Sequence, residues 1–450
     1  MAELRRWFGT DGIRGRVGEM PLTPEFVLKL GWAAARVLCP DGAGVAVIGK
    51  DTRRSGYMFE SVLEAGFSAA GVDTLLLGPL PTPAIAYITR DLRAAVGVVI
   101  SASHNPYEDN GIKFFGADGR KLPDATEAAI EAAIGMDMRT VDPARVGQAK
   151  RLEDARGRYV ESCKASLPRG ASLAGLKLVL DCAHGADYLV APQVFRDLGA
   201  EVVAIGVEPD GLNINAGYGS TYPERICAAV VAEGADYGLA FDGDGDRVLA
   251  VDAGGRIYDG DELLYVIAME HASRQALRGP VVGTVMSNLG LEEAFTAAGI
   301  AFERAPVGDR YVLARLDETG GILGGESSGH IVCLERASTG DGIIAGLAVM
   351  HRIVECGTTL AELCAPVVKH PQLLVNVPLN GKERVEVMND AGLLSAVASV
   401  EARLGEHGRV LLRPSGTQAL IRVMVEGPER GLVETCVEEI RIAVESAAAR

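Results

Sequence analysis

The sequence predicts an α/β protein of four domains, three of them similar and the fourth a smaller α+β domain. Three observations carry this. The chain has 450 residues, too many for one ordinary hydrophobic core. A strand–helix–strand pattern recurs three times. From residue 368 onward that order is lost.

The first unit is "GVAVIGKDTRRSGYMFESVLEAGFSAAGVDTLLLG", starting at Gly44. The second, "LKLVLDCAHGADYLVAPQVFRDLGAEVVAIG", starts at Leu176, and the third, "GPVVGTVMSNLGLEEAFTAAGIAFERAPVG", at Gly279. Their strands are short Val/Ile/Leu runs, the pattern of strands covered on both faces. Their helices end at Gly71, Gly199 and Gly299, where a left-handed cap is easily adopted. Beyond "APVVKHPQ", the strand "PQLLVNVPLN" precedes a helix, the hairpin "GRVLLRPSGTQALIRVMVEG" and a final amphipathic helix. The boundaries read as 1–155, 156–256, 257–367 and 368–450.

Composition narrows the function. Apolar residues make up 48% of the chain and the formal net charge is −16. Nucleic acid and anionic membranes reward clustered cationic charge, so neither is expected as a partner. A small phosphorylated ligand remains compatible, because a few nearby arginines outweigh a diffuse, screened field. The eight cysteines form no CxxC pair and several lie in apolar segments, which fits free thiols in a reducing cytoplasm. "MAELRRWFGTDGIRG" lacks an apolar signal core, and no run approaches the ~18 apolar residues of a membrane helix. A cytoplasmic location is expected.

The strongest chemical signal is "FDGDGDRV", with Asp242, Asp244 and Asp246 at alternate positions. In an extended segment these side chains share one side. Three clustered carboxylates call for a cation, and oxygen-only ligands select a hard divalent ion such as Mg²⁺ or Ca²⁺. An EF-hand loop does not fit, because its sixth position is Arg247 and its twelfth Ala253. The alternative is a solvated acidic turn, but apolar runs flank the motif on both sides.

A second signal, "VGVVISASHNPYEDNGIKFF", sets serines, a histidine and an Asn-Pro turn directly after a β-branched run. The serines could merely turn the chain. Alternatively, one could carry a phosphoryl group that completes a Mg²⁺ site, with the metal acting as Lewis acid. "LRPSGTQALIR" offers Arg413, Ser415, Gly416, Thr417 and Arg422. Small residues there expose backbone N–H groups and arginine grips phosphate bidentately, although a plain hairpin turn has the same composition. "GGESSGH" places Glu326, Ser328 and His330 in a Gly-rich loop suited to sugar hydroxyls.

"FGTDGIRG", "ISASHNPYEDNGIKFF", "FDGDGDRV", "GGESSGH" and "RPSGT", in this order and spanning the whole chain, resemble the α-D-phosphohexomutase superfamily. "DGLNINAGYGSTYPE", "GRIYDGDELLYV", "VGDRYV" and "STGDGII" are similar to its bacterial amino-sugar branch.

The resemblance implies four domains around a central cleft, with mixed sheets in the first three. It implies interconversion of glucosamine 6-phosphate and glucosamine 1-phosphate, with Mg²⁺ and a glucosamine 1,6-bisphosphate intermediate, on the way to UDP-N-acetylglucosamine. A monomer or homodimer is expected, with a phosphosugar as its partner. Ser103 is then the phosphorylated serine. Its phosphate joins Asp242, Asp244 and Asp246 as metal ligands. Arg14, Lys113 and His330 are the expected catalytic residues, with Lys113 a proton acceptor if cationic neighbours lower its pKa. Glu326, Ser328 and Arg247 are expected to bind the sugar, and Arg413, Ser415, Gly416, Thr417 and Arg422 a phosphate. The loop departs from the superfamily pattern at Gln418 and Ala419, which replace Glu and Pro. A mutase for glucose or mannose phosphates, and a sugar-phosphate phosphatase or non-catalytic binder, are the competing readings.

Overall fold

The structure, a computed structural model, describes residues 6–379, 382–414 and 419–449. The chain forms two compact units, one of Met1–Thr284 with Ala305–Cys364, the other of Val285–Arg304 with Ala365–Arg450.

The first unit contains three mixed sheets, each in an α/β layer arrangement. The first sheet runs in the order Ile13–Arg16, Asp109–Gly116, Val96–Ile100, Val45–Lys50, Asp73–Pro79, Ala149–Arg151. Val45–Lys50 lies parallel to both Asp73–Pro79 and Val96–Ile100, and Asp109–Gly116 runs antiparallel. Val96–Ile100 is buried along its whole length, as its uninterrupted β-branched run requires.

On one face, helices Pro24–Leu38 and Arg54–Ala69 pack tightly. At Gly66 a Cβ would stand 2.4 Å from Leu28 O, so only glycine permits this approach. Phe26, Leu30, Phe59, Leu63 and Phe67 fill the core between helices and sheet.

In the second sheet, Lys177–Asp181 lies parallel to Glu201–Ile205 and to Tyr237–Phe241, and Val248–Asp252 returns antiparallel beside Tyr237–Phe241. In the third, Val281–Thr284 pairs parallel with Leu323–Gly325, which pairs antiparallel with Ile331–Cys333. Gly71, Gly199 and Gly299 follow their helices at φ 90°, 96° and 69°, the left-handed caps expected.

In the second unit, strands Gln372–Pro378, Leu420–Glu426 and Arg409–Pro414 form an antiparallel sheet with Leu420–Glu426 central. Helices Ala391–Leu404 and Arg430–Ala449 cover it through Leu393, Val400, Leu404, Cys436, Ile440 and Val444. Residues 285–304 belong to this unit: Leu289 N donates to Glu426, and Arg409 donates to the carbonyls of Val285 and Ser287.

All eight cysteines are free thiols, six of them buried. Among the described residues no helix is long and apolar enough to cross a membrane.

Candidate active site

The site lies within the first unit, where three turns follow three strands. Val96–Ile100 delivers Ser103. Its hydroxyl donates to Asp242 Oδ2 at 2.6 Å, and its backbone adopts φ 52°. A serine in the left-handed region costs about 1 kcal/mol or more and persists only where its surroundings impose it. Here Ser103 N donates to Ser101 Oγ at 2.9 Å, while Ser103 O accepts from Arg53 at 3.2 Å and from Asn215 Nδ2 at 2.9 Å.

Strand register supplies two cations. Val99 stands opposite Lys113, and Arg14 opposite Gly111. Arg14 and Lys113 therefore both lie at the end of the sheet that carries Ser103. Lys113 Nζ donates to Asp244 Oδ2 at 2.9 Å and pairs with Asp11 at 3.0 Å, and Arg14 pairs with Asp11.

Asp242, Asp244 and Asp246 are all buried, and one carboxylate oxygen of each lies within 4.8 Å of the others. The three aspartates do converge, but not through the alternation read from the sequence. Residues 242–246 are not extended: they form a tight turn after Tyr237–Phe241, with Gly245 at φ 73°. The carboxylates converge because the chain wraps around a centre, not because a strand alternates.

The donor set suits a hard divalent cation. Asp244 Oδ1 is buried with no hydrogen-bond partner, and Asp246 Oδ1 has only longer contacts, to His330 Nδ1 at 3.5 Å and Arg247 Nε at 3.9 Å. Asp242, Asp244, Asp246 and Ser103 could hold such an ion.

Charge differs sharply across the turn. Burial and the neighbouring Asp246 and Asp244 push the Asp242 carboxyl well up. Burial also opposes charge on Asp244, but Lys113 and the Thr82 hydroxyl overcome it and hold Asp244 below the usual carboxylate range. The condition for Lys113 to accept a proton, a pKa lowered by cationic neighbours, is not met: burial opposes its charge, yet Asp11, Asp244 and Asp246 outweigh burial and raise its pKa.

His330 directly precedes the strand Ile331–Cys333 and pairs with Arg247 in an isolated β-bridge. Burial disfavours its charge, but Asp246, Asp309 and Glu326 raise its pKa to about 9. Glu326 accepts from Gly308 N at 2.9 Å, and the Ser328 hydroxyl is buried with no partner.

Arg413 and Arg422, in the other unit, face each other across the C-terminal hairpin. Ser415, Gly416, Thr417 and Gln418 lie outside the described residues.

Several contributors escaped the sequence reading. Asp11 pairs with Arg14, Lys113 and Lys121, and Lys121 reaches Asp309 at 2.5 Å. Asp11, Asp309 and Asn215 lay inside motifs already quoted, "FGTDGIRG", "VGDRYV" and "DGLNINAGYGSTYPE". His104, whose Nδ1 is 3.3 Å from Ser103 Oγ, lay inside another. Thr82, in a Pro-Thr-Pro turn, carried no signal at all.

Comparison with known proteins settles the lineage. Four profiles described as phosphoglucomutase/phosphomannomutase domains match in order: alpha/beta/alpha domain I at residues 5–139, domain II at 157–255, domain III at 259–370 and the C-terminal domain at 374–443. The chain belongs to the phosphoglucomutase/phosphomannomutase family. Within that family it is 60% identical over 445 residues to a phosphoglucosamine mutase of Thioalkalivibrio sulfidiphilus, covering 99% of each chain. It is 59% identical over 449 residues to one of Halorhodospira halophila, covering 100% of this chain and 98% of the relative. A crystal structure of a family member from Burkholderia thailandensis superposes with a TM-score of 0.82 at 25% identity, covering 97% of both chains.

Proposed function

We propose that this protein is a Mg²⁺-dependent phosphoglucosamine mutase, interconverting glucosamine 6-phosphate and glucosamine 1-phosphate through a phosphorylated Ser103 and a glucosamine 1,6-bisphosphate. The reaction would be a step toward UDP-N-acetylglucosamine. The observation that carries the reading is the 2.6 Å hydrogen bond from Ser103 Oγ to Asp242, which joins the serine loop to the carboxylate turn. The choice of amino sugar is supported by relatives of that name at 56–60% identity across 94% or more of the chain.

In the forward half-reaction the bond from phosphorus to Ser103 Oγ breaks as a bond to the sugar O1 forms. The proton given up by the sugar hydroxyl balances on Ser103 Oγ, where Asp242 Oδ2 accepts it in a hydrogen bond. The reverse transfer from O6 restores the phosphoserine. Mg²⁺, held by Asp242, Asp244, Asp246 and the Ser103 phosphate, would act as a Lewis acid on that phosphate. Arg14 and Lys113 stabilise the charge that spreads over the equatorial oxygens in transfer. Lys113 does this without reorganising, because carboxylates already hold it in place. Glu326, Ser328, Arg247 and His330 orient the sugar, the Ser328 hydroxyl being free to meet one of its groups. Arg413 and Arg422, with Ser415, Gly416 and Thr417, form the proposed phosphate-binding element.

Intact-mass spectrometry is expected to find one phosphoryl group on the Ser103 peptide. Ser103→Ala is expected to lower turnover by roughly a thousandfold or more while sugar-phosphate binding stays within a few-fold. Near-normal turnover by that variant would overturn the reading. Activity on glucose or mannose 6-phosphate equal to that on glucosamine 6-phosphate would overturn the amino-sugar assignment.

A further inference from the structure

We propose that Thr82, from the first α/β layer, is a positioning residue for the metal site: its hydroxyl and its backbone N–H together fix the orientation of the Asp244 carboxylate, one oxygen held by donors and the other left for the cation. This rests on the reading above only for the identity of the metal.

The turn carrying the three aspartates makes little structure of its own. Its consecutive carbonyls are each claimed by a different segment. Gly243 O accepts from Ala186 N at 2.8 Å, Asp244 O from Thr82 N at 2.9 Å, and Gly245 O from Gly342 N at 3.0 Å. Thr82 alone among these three donors also reaches a metal-ligand side chain. Its Oγ1 donates to Asp244 Oδ2 at 2.7 Å, and both residues are buried, Thr82 2% and Asp244 1% exposed.

The carboxylate of Asp244 is therefore split by role. Oδ2 accepts two donors, Thr82 Oγ1 and Lys113 Nζ, whereas Oδ1 is buried with none. The hydroxyl and the ammonium approach the same oxygen, so turning the carboxylate plane away from its present orientation would break both hydrogen bonds at once. Oδ1 is thereby presented to the metal as a single oxygen ligand. Mg²⁺ demands near-ideal octahedral placement and tolerates misaligned ligands poorly. Groups that orient a ligand from behind are typically worth 10–100-fold in metal affinity.

Thr82 is well placed to do this and nothing else. It occupies the first position of the helix Thr82–Asp91 and follows two prolines and a leucine in "PLPTP", which stiffen the entry to the helix. Its hydroxyl donates to Asp244 rather than to a group expected to meet the sugar.

The test uses the full-length protein and two variants. Thr82→Val keeps the shape and removes the hydroxyl donor, and Thr82→Ser keeps the donor and removes the methyl. Mn²⁺ binding is read by electron paramagnetic resonance, with Mg²⁺ as competitor, alongside activity and thermal melting. Thr82→Val is expected to bind Mn²⁺ and Mg²⁺ about 10–100-fold more weakly. The sugar-phosphate KM should stay within about twofold, and saturating Mg²⁺ should restore most of the turnover. Thr82→Ser is expected to bind within about threefold of the parent. Parental metal affinity in Thr82→Val would overturn the proposal. So would equal loss in both variants, since that would assign the effect to packing of the methyl group. Because metal binding is read directly, the result stands apart from the mutase assignment: if Ser103 carried no phosphate, the affinity difference would still decide the role of Thr82.

Discussion

Two regions of this protein gather like charges, and they do so in opposite ways. The turn at residues 242–246 holds three carboxylates buried in the first unit, with the buried Lys113 and the half-buried Arg247 beside them. The C-terminal hairpin sets Arg413 opposite Arg422, partly exposed on a two-strand register. Like charges directly opposed on a sheet cost a few tenths of a kcal/mol to about 1 when water can screen them. Buried carboxylates cannot rely on that screening. The acidic turn is accordingly braced on every carbonyl from 243 to 245 and paired on Asp244, whereas Arg413 and Arg422 face each other half-buried across the strands. Burial decides how much of the surrounding fold a binding site must enlist.

That contrast can be broken at its strong end first. Asp244→Asn removes a ligand and the carboxylate that holds Lys113 and Thr82. Mg²⁺ affinity is expected to fall by roughly a hundredfold or more, measured by Mn²⁺ competition. The metal-free protein is expected to melt lower as well, because Asp244 is net stabilised where it sits. Unchanged affinity would contradict the metal assignment.

Next comes the half-buried hairpin pair. Arg422→Ala is expected to raise the sugar-phosphate KM about tenfold, since hydrogen bonds to charged groups are worth about 1.5–3 kcal/mol. The loss should shrink as salt rises, while the melting temperature barely moves. A large melting loss would mean that the hairpin arginines are structural.

The smallest effect is the sharpest. Asp242 is disfavoured as an anion by burial and by Asp246 and Asp244. Asp242→Asn keeps one oxygen to accept from Arg247 N, sets an amide N–H against the Ser103 hydroxyl, which can turn to accept it, and removes the repulsion. In chelator it is expected to be at least as stable as the parent, opposite in sign to Asp244→Asn, and Mg²⁺ should no longer stabilise it. Chemical denaturation with and without Mg²⁺ checks both signs. Equal destabilisation by the two variants would erase the difference between the two carboxylates.

Much of the protein was legible in its residues. The three strand–helix–strand units, their glycine caps, and the C-terminal hairpin and helices all form as patterned, because hydrophobic period and cap chemistry act within a few residues of one another. The aspartate trio was legible by type, yet its geometry was misjudged, since alternation cannot distinguish a strand from a turn closed by Gly245. Lys113 was legible as a cation near transfer. Its raised pKa was not, because Asp11 and Asp244 are 102 and 131 residues away along the chain.

By itself the sequence determined which segments are strands and helices, and which loops carry the candidate residues for phosphate and for a hard cation. Only tertiary structure decided that Ser103 would meet Asp242, that Lys113 would stay charged, and that Thr82 would stand behind Asp244. The reason is physical: local pattern records the free energy of near neighbours, whereas a pKa or a ligand's orientation is set by whatever charge and donor the fold brings within a few ångströms.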